Sequence, residues 1–182
     1  EAMEFIAKNP IPIEGFEDFE IEQAYARKIH DFVAKKVTYS PIGYDPESML
    51  GLEKYEALQE AYNVLGENEN TAVCAAYARA FALIAQYADI NAAYVLGNQT
   101  ELESHAWNII YPRDGSEAVL IDVTWDDTES EDFTGQTDVS DRYFYVPLSE
   151  DSDHKASENV QGFLNYINAK EEIIYSDSYL IK

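Results

Sequence analysis

Between Phe19 and Lys36 the apolar residues Ile21, Tyr25, Ile29, Phe32 and Val33 recur three or four positions apart, with charged residues between them. That spacing predicts a helix of about those bounds with one buried face. Lys35 and Lys36 fall in its last turn, where cations suit the helix dipole. Residues 1–18 ahead of it are acidic, contain Pro10 and Pro12, and read as an extended arm. Pro41, Gly43 and Pro46 predict a loop from Val37 to Pro46. A second helix is expected over about 52–65, carrying Leu52, Tyr55, Leu58, Tyr62 and Leu65. The clearest helical stretch runs from Thr71 to Ala88. It is alanine-rich and free of Gly and Pro, with Val73, Tyr77, Phe81 and Ile84 along one side and Asn70 or Thr71 as its cap.

Beyond Asp89 the period changes. Runs at about 92–97, 104–111 and 118–125 read as strands, the last two joined at Pro112-Arg113-Asp114-Gly115 by a hairpin turn. Residues 126–141 hold seven acids and no Lys or Arg, which predicts a solvated loop. Another strand is expected at Arg142–Val146 and a short helix at Val160–Ala169. The segment 171–182 reads as a tail or edge strand. Helices first and an antiparallel meander afterwards predict an α+β domain over about 19–170, with one sheet.

Composition supports a packed core: 46% of the 182 residues are hydrophobic and 13% aromatic. Twelve Lys and Arg against 35 Asp and Glu leave a formal charge of −23. That field repels a phosphate backbone, so nucleic acid is not an expected partner, and it disfavours an anionic membrane surface. No apolar run approaches the roughly 18 residues needed to span a bilayer, so no membrane insertion is expected. No basic stretch followed by an apolar one marks a signal peptide, although a trimmed secreted chain would read the same way.

Cys74 is the only cysteine, which excludes an intrachain disulfide and a Cys-rich zinc site. It falls in the first turn of the best helix, where exposed amide N–H groups and the dipole favour thiolate over thiol. On that position alone, a small packing residue explains it equally well. His105 opens a strand whose alternation puts His105, Trp107, Ile109 and Tyr111 on one face; a hydrogen-bonded core histidine is the ordinary reading there. Asp122 interrupts the apolar run Ala118–Trp125, and a buried carboxylate needs a partner. Hairpin register connects the two. A turn centred on Arg113-Asp114 pairs residues whose numbers sum to 227, placing His105 opposite Asp122; a turn centred on Asp114-Gly115 gives 229 and a diagonal neighbour on the same face. Cys74, His105 and Asp122 lack the short spacing of a metal site, and the acidic loop lacks the regular aspartate pattern of a calcium loop. Neither a metal nor another cofactor is expected.

Three segments together, Thr71–Phe81, Ser104–Ile110 and Leu120–Asp127, resemble the transglutaminase-like superfamily of bacterial proteins. Ile29–Tyr39, Glu60–Leu65 and Arg142–Val146 with His154 resemble its flanking segments, so the resemblance covers about residues 20–155. It implies a papain-like α+β fold and a Cys–His–Asp triad: Cys74 as nucleophile, His105 as base and Asp122 as the group orienting the imidazole. It further implies attack on an amide carbonyl of a peptide or protein substrate, through an acyl-thioester. Hydrolysis is the expected outcome rather than cross-linking. The alternative is a non-catalytic surface-binding module for protein or glycan that keeps a vestigial triad. The Cys74 amide is the first oxyanion donor, with Gln59 and Tyr62 as candidates for a second. Trp107, Trp125 and Tyr77 are candidates to line the cleft, and His154 reads as a packing residue. Ala72 and Ala76 stand where the family often has glycine, and their methyl groups could crowd the site. A family common on bacterial cell surfaces fits an extracellular or surface location; the composition fits the cytoplasm equally well.

Overall fold

The computed structural model describes residues 1–12, 15, 16, 18–40, 58–66, 71–98, 104–127, 139–151 and 153–156. Residues 41–46 of the loop expected at 37–46, residues 52–57 of the helix expected at 52–65, the helix at 160–169 and the tail at 171–182 lie outside these residues.

The chain opens with helix α1 (Ala2–Lys8), not with an extended arm. Ala2, Phe5 and Ile6 stand three and four residues apart and pack into the main core. The Phe5 ring meets Phe32 at 4.8 Å, and the Tyr25 hydroxyl donates to the Asn9 carbonyl at 2.5 Å. Pro10 and Pro12 end the helix; they do not set the conformation of the whole segment. Helix α2 (Phe19–Lys36) has the bounds its spacing predicts. Asp18 caps it, its side chain accepting from the amides of Glu20 (2.9 Å) and Ile21 (3.3 Å).

Strands β1 (Thr38–Tyr39) and β2 (Thr71–Ala72) form a short parallel ladder, extended by the Ser40 amide donating to the Ala72 carbonyl at 2.8 Å. Between them lies the single-turn helix α3 (Tyr62–Leu65). Because β2 claims Thr71 and Ala72 and the Val73 amide donates to Leu58, the next helix, α4 (Cys74–Tyr87), starts at Cys74 instead of Thr71. Val73 is its cap residue and contributes no side-chain bond. Tyr77, Phe81 and Ile84 of α4 are fully buried against Ile29 and Val33 of α2.

The second half is an antiparallel sheet in the order β6-β5-β4-β3-β7, with β3 Ala92–Asn98, β4 Ser104–Ile110, β5 Val119–Ile121, β6 Phe144–Pro147 and β7 Lys155–Ala156. Asn108 pairs with Ile121 and Ile109 with Leu120, the second of the two registers considered above. Alternation sends Ile110, Val119 and Ile121 into the main core, and Trp107, Ile109, Tyr111, Ala118 and Leu120 into a second cluster. Asn108 ties helix to sheet by donating to the carbonyls of Ala78 (2.9 Å) and Ala93 (3.2 Å).

The strand expected at 118–125 stops at Ile121, and the chain turns into the short helix α5 (Val123–Asp126). Asp122 causes the break: its side chain accepts from the amides of Thr124 and Trp125, a capping geometry that competes with strand continuation. The acidic stretch after it is not uniformly solvated. Asp126 and Asp127 are buried. Asp126 faces His30 at 3.2 Å and accepts from the Tyr143 amide at 3.1 Å, while Asp127 accepts from the Tyr77 hydroxyl at 2.6 Å. Among the described residues, no helix is long and apolar enough to cross a membrane.

Candidate active site

Three elements meet at one end of α4. Cys74 is the first residue of that helix and is half-buried, with Ala75, Ala78, Ala106 and Tyr94 packed around it. The start of a helix also presents backbone N–H groups and a positive dipole end. His105 is the second residue of β4, with its ring almost wholly buried. Its Nε2 lies 2.5 Å from Asp122 Oδ2, and Cys74 is close enough to favour the protonated ring. With Nε2 committed to a carboxylate, which only accepts, Nδ1 is the nitrogen left for sulfur.

Asp122 is fully buried and fully engaged. Oδ1 accepts from Thr124 N (3.0 Å) and Trp125 N (3.2 Å); Oδ2 receives Nε2 of His105 and Nε2 of His154, the latter at 3.0 Å. Burial works against its charge, but the donated bonds and positive partners hold its carboxyl below the usual range. For His105, burial is the largest single influence and disfavours the imidazolium. The hydrogen bond to Asp122 and the nearby Cys74, with their charges, together outweigh it and push the ring up to about 9. The site thus favours a charged imidazole beside a sulfur atom, held in one tautomer by a buried carboxylate.

His105, Asp122 and His154 bring their ligand atoms within 4.8 Å of one another, a grouping that invites comparison with a metal site. The 2.5 Å approach of His105 to Asp122 is a hydrogen-bond distance. Two ligands of a tetrahedral zinc stand about 3.4 Å apart, given bonds near 2.1 Å. Proton sharing accounts for this grouping without an ion.

The remaining expected site residues fall into two groups. Gln59 is half-buried next to Leu58, whose carbonyl bonds the residue before Cys74, and its own carbonyl accepts from Arg79 of α4 at 3.0 Å. Tyr62 is 61% exposed, on the outer side of its turn. Trp125 is half-buried and stacks on the His105 ring, with centroids 4.8 Å apart and planes 14° apart. Trp107 and Tyr77 are buried and offer no surface to a cleft; Tyr77 points into the core to reach Asp127. Ala72 and Ala76 are fully buried in the main core cluster, so their methyl groups fill core space. His154, expected only as a packing residue, joins the site through Asp122. Its only local signal is the three-residue spacing from Asp151, to which it also bonds.

An α+β fold in which a helix start carrying cysteine meets a strand carrying histidine defines a papain-like transglutaminase core. Residues 17–117 match the family model for the transglutaminase-like superfamily, and the chain belongs to that superfamily. A solved structure described as a crystal structure of a TGase is similar at 17% identity and a TM-score of 0.44. The match covers 79% of this chain and 34% of that one, so this chain spans about a third of its length. None of the curated proteins matches the chain.

Proposed function

We propose that this domain is a thiol hydrolase acting on peptide or protein amides, with Cys74, His105 and Asp122 as its catalytic residues. The observation that supports the reading is the convergence of a helix-start thiol on an imidazole that is hydrogen-bonded to a buried carboxylate. His105 Nδ1 takes the thiol proton. The sulfur attacks the carbonyl carbon, a C–S bond forms and the carbonyl pair moves onto oxygen. The Cys74 amide, with the segment at Gln59 beside it, faces that oxygen. Collapse breaks the C–N bond, and His105 returns the proton to the leaving amine. Water then gives a proton to His105 and its hydroxide to the thioester; the C–S bond breaks, the acid departs and the thiol is restored. Asp122 holds the imidazole orientation throughout. Cys74 keeps part of its surface in solvent, which leaves a thioester open to water and supports hydrolysis over amine transfer.

Iodoacetamide labelling tests the first part, because Cys74 is the only cysteine. At pH 7, His105→Ala is expected to slow labelling by about tenfold or more, the loss of one charged hydrogen bond to the thiolate. Equal rates in both proteins would favour the binding-module reading. Mass spectrometry of a glutamine peptide incubated with methylamine tests the second part. The acid should be the main product, and a dominant methylamide would replace hydrolysis with transfer.

A further inference from the structure

His154 is buried in the segment leading into β7, and both of its ring nitrogens face carboxylates. Nε2 lies 3.0 Å from Asp122 Oδ2, and Nδ1 lies 3.1 Å from Asp151 Oδ1. Carboxylate oxygens accept only, so in the bond to Asp122 the Nε2–H of His154 is the donor. Asp151, three residues back, fixes the ring from one end; Asp122 receives it at the other. The same Oδ2 also serves His105. Three aromatic rings surround His154: Trp125 at 4.4 Å, Trp107 at 4.9 Å and Tyr143 at 5.4 Å between centroids. Two readings therefore compete for His154, an aromatic filler and a donor to the buried carboxylate.

We propose that His154 is a positioning residue: through its bond to Oδ2 it fixes where Asp122 sits and how strongly that carboxylate holds His105. The proposal rests on the thiol-hydrolase reading above. A filler needs ring shape alone, and a phenyl ring would serve. The aligned pair of carboxylates at opposite ends of the imidazole gives both nitrogens a partner in a buried place, which ring shape does not require. His154 also stands beside His105 with ring centroids 5.9 Å apart, so its influence on the base passes through the shared carboxylate and not through direct bonding.

Two substitutions separate the readings, because they preserve opposite properties. His154→Gln keeps an N–H donor and loses the ring; His154→Phe keeps the ring and loses the donor. Labelling of Cys74 by iodoacetamide at pH 7 should stay within about threefold of wild type in the Gln variant and fall about tenfold in the Phe variant, the loss expected for a hydrogen bond to a charged group. For a turned-over peptide, the Phe variant should lower kcat and leave KM nearly unchanged. Circular dichroism checks that each variant folds. Asp151→Ala supplies the same test with His154 in place, should the Phe variant fail to fold: releasing Nδ1 should slow labelling several-fold, and an unchanged rate would overturn the proposal. Phe outperforming Gln, or both matching wild type, would also overturn it and leave His154 a filler. If wild type and His105→Ala label alike, the hydrolase reading fails instead, a result distinguishable from these.

Discussion

Four donors converge on the Asp122 carboxylate, two from main-chain amides and two from imidazoles. This is how a group with no solvent access remains an anion: each lone-pair direction is satisfied, and the charge is matched by its neighbours. The consequence reaches His105, raised to about 9. A raised imidazole contributes stability that is fully present below its unfolded value near 6.5 and is lost as pH rises through about 9. The stability difference between wild type and His105→Gln, measured by urea unfolding, should therefore be on the order of 3 kcal/mol at pH 6 and shrink toward zero by about pH 10. Turnover should share that alkaline limb. Asp122→Asn removes the charge and should move the limb toward lower pH while reducing kcat by about a thousandfold or more. A limb that stays near 9 in that variant would mean that Asp122 does not set the charge of the base.

At the scale of elements, the narrowest fit lies where β3 passes β7. Gly97 pairs with His105 on one side and with Ala156 on the other. A Cβ at that position would collide with the Lys155 carbonyl and the Trp107 ring. One of those obstacles is backbone, which cannot swing aside. Gly97→Ala should destabilise the fold by about 1–3 kcal/mol, the range for overpacking, and push β7 away from the sheet. His154 precedes β7, so Cys74 labelling should slow as well. A variant of wild-type stability and reactivity would show that β7 has room to move. Elements with a strong internal period were legible from residue order. The apolar face of α2 and the alternation in β3 and β4 are local signals that survive packing. Helix α1 was obscured by the two prolines after it, and the β1–β2 ladder has only two residues on each side, too few to show a period. Asp122 looked like a strand residue because the residues around it are apolar; its capping bonds to Thr124 and Trp125 decide otherwise.

For the molecule as a whole, the charge of −23 sets the long-range field. Self-repulsion weakens the folded state at low salt. Raising ionic strength from about 0.01 M to about 0.5 M should raise Tm by about 3–5 °C, equivalent to roughly 1–2 kcal/mol of screened repulsion. A Tm that fell over that range would show that attractive surface pairs outweigh the net charge. The same field should draw basic peptides more than acidic ones, with a preference that fades as salt is added. Half of the candidate site could be seen in the sequence for a physical reason. His105 lies on β4 and Asp122 directly follows the end of β5, its neighbour in the sheet, so pairing arithmetic across the hairpin reaches both. Cys74 comes to them by helix-on-sheet packing, which leaves no counting rule behind, and only the family resemblance connected it. His154 arrives just ahead of the far edge strand, after the acidic stretch, with no periodic signal at all. This scattering has a consequence during synthesis. Cys74 leaves the ribosome before His105, Asp122 and His154, in that order, so the nascent sulfur has no base beside it until the strands close. A nascent chain stalled before His105 should label with iodoacetamide like a simple thiol, and a faster rate would show that the helix alone awakens it. On the thiol-hydrolase proposal, the order of translation acts as a timer that keeps the sulfur unactivated while the chain's own unfolded backbone is the nearest amide in reach.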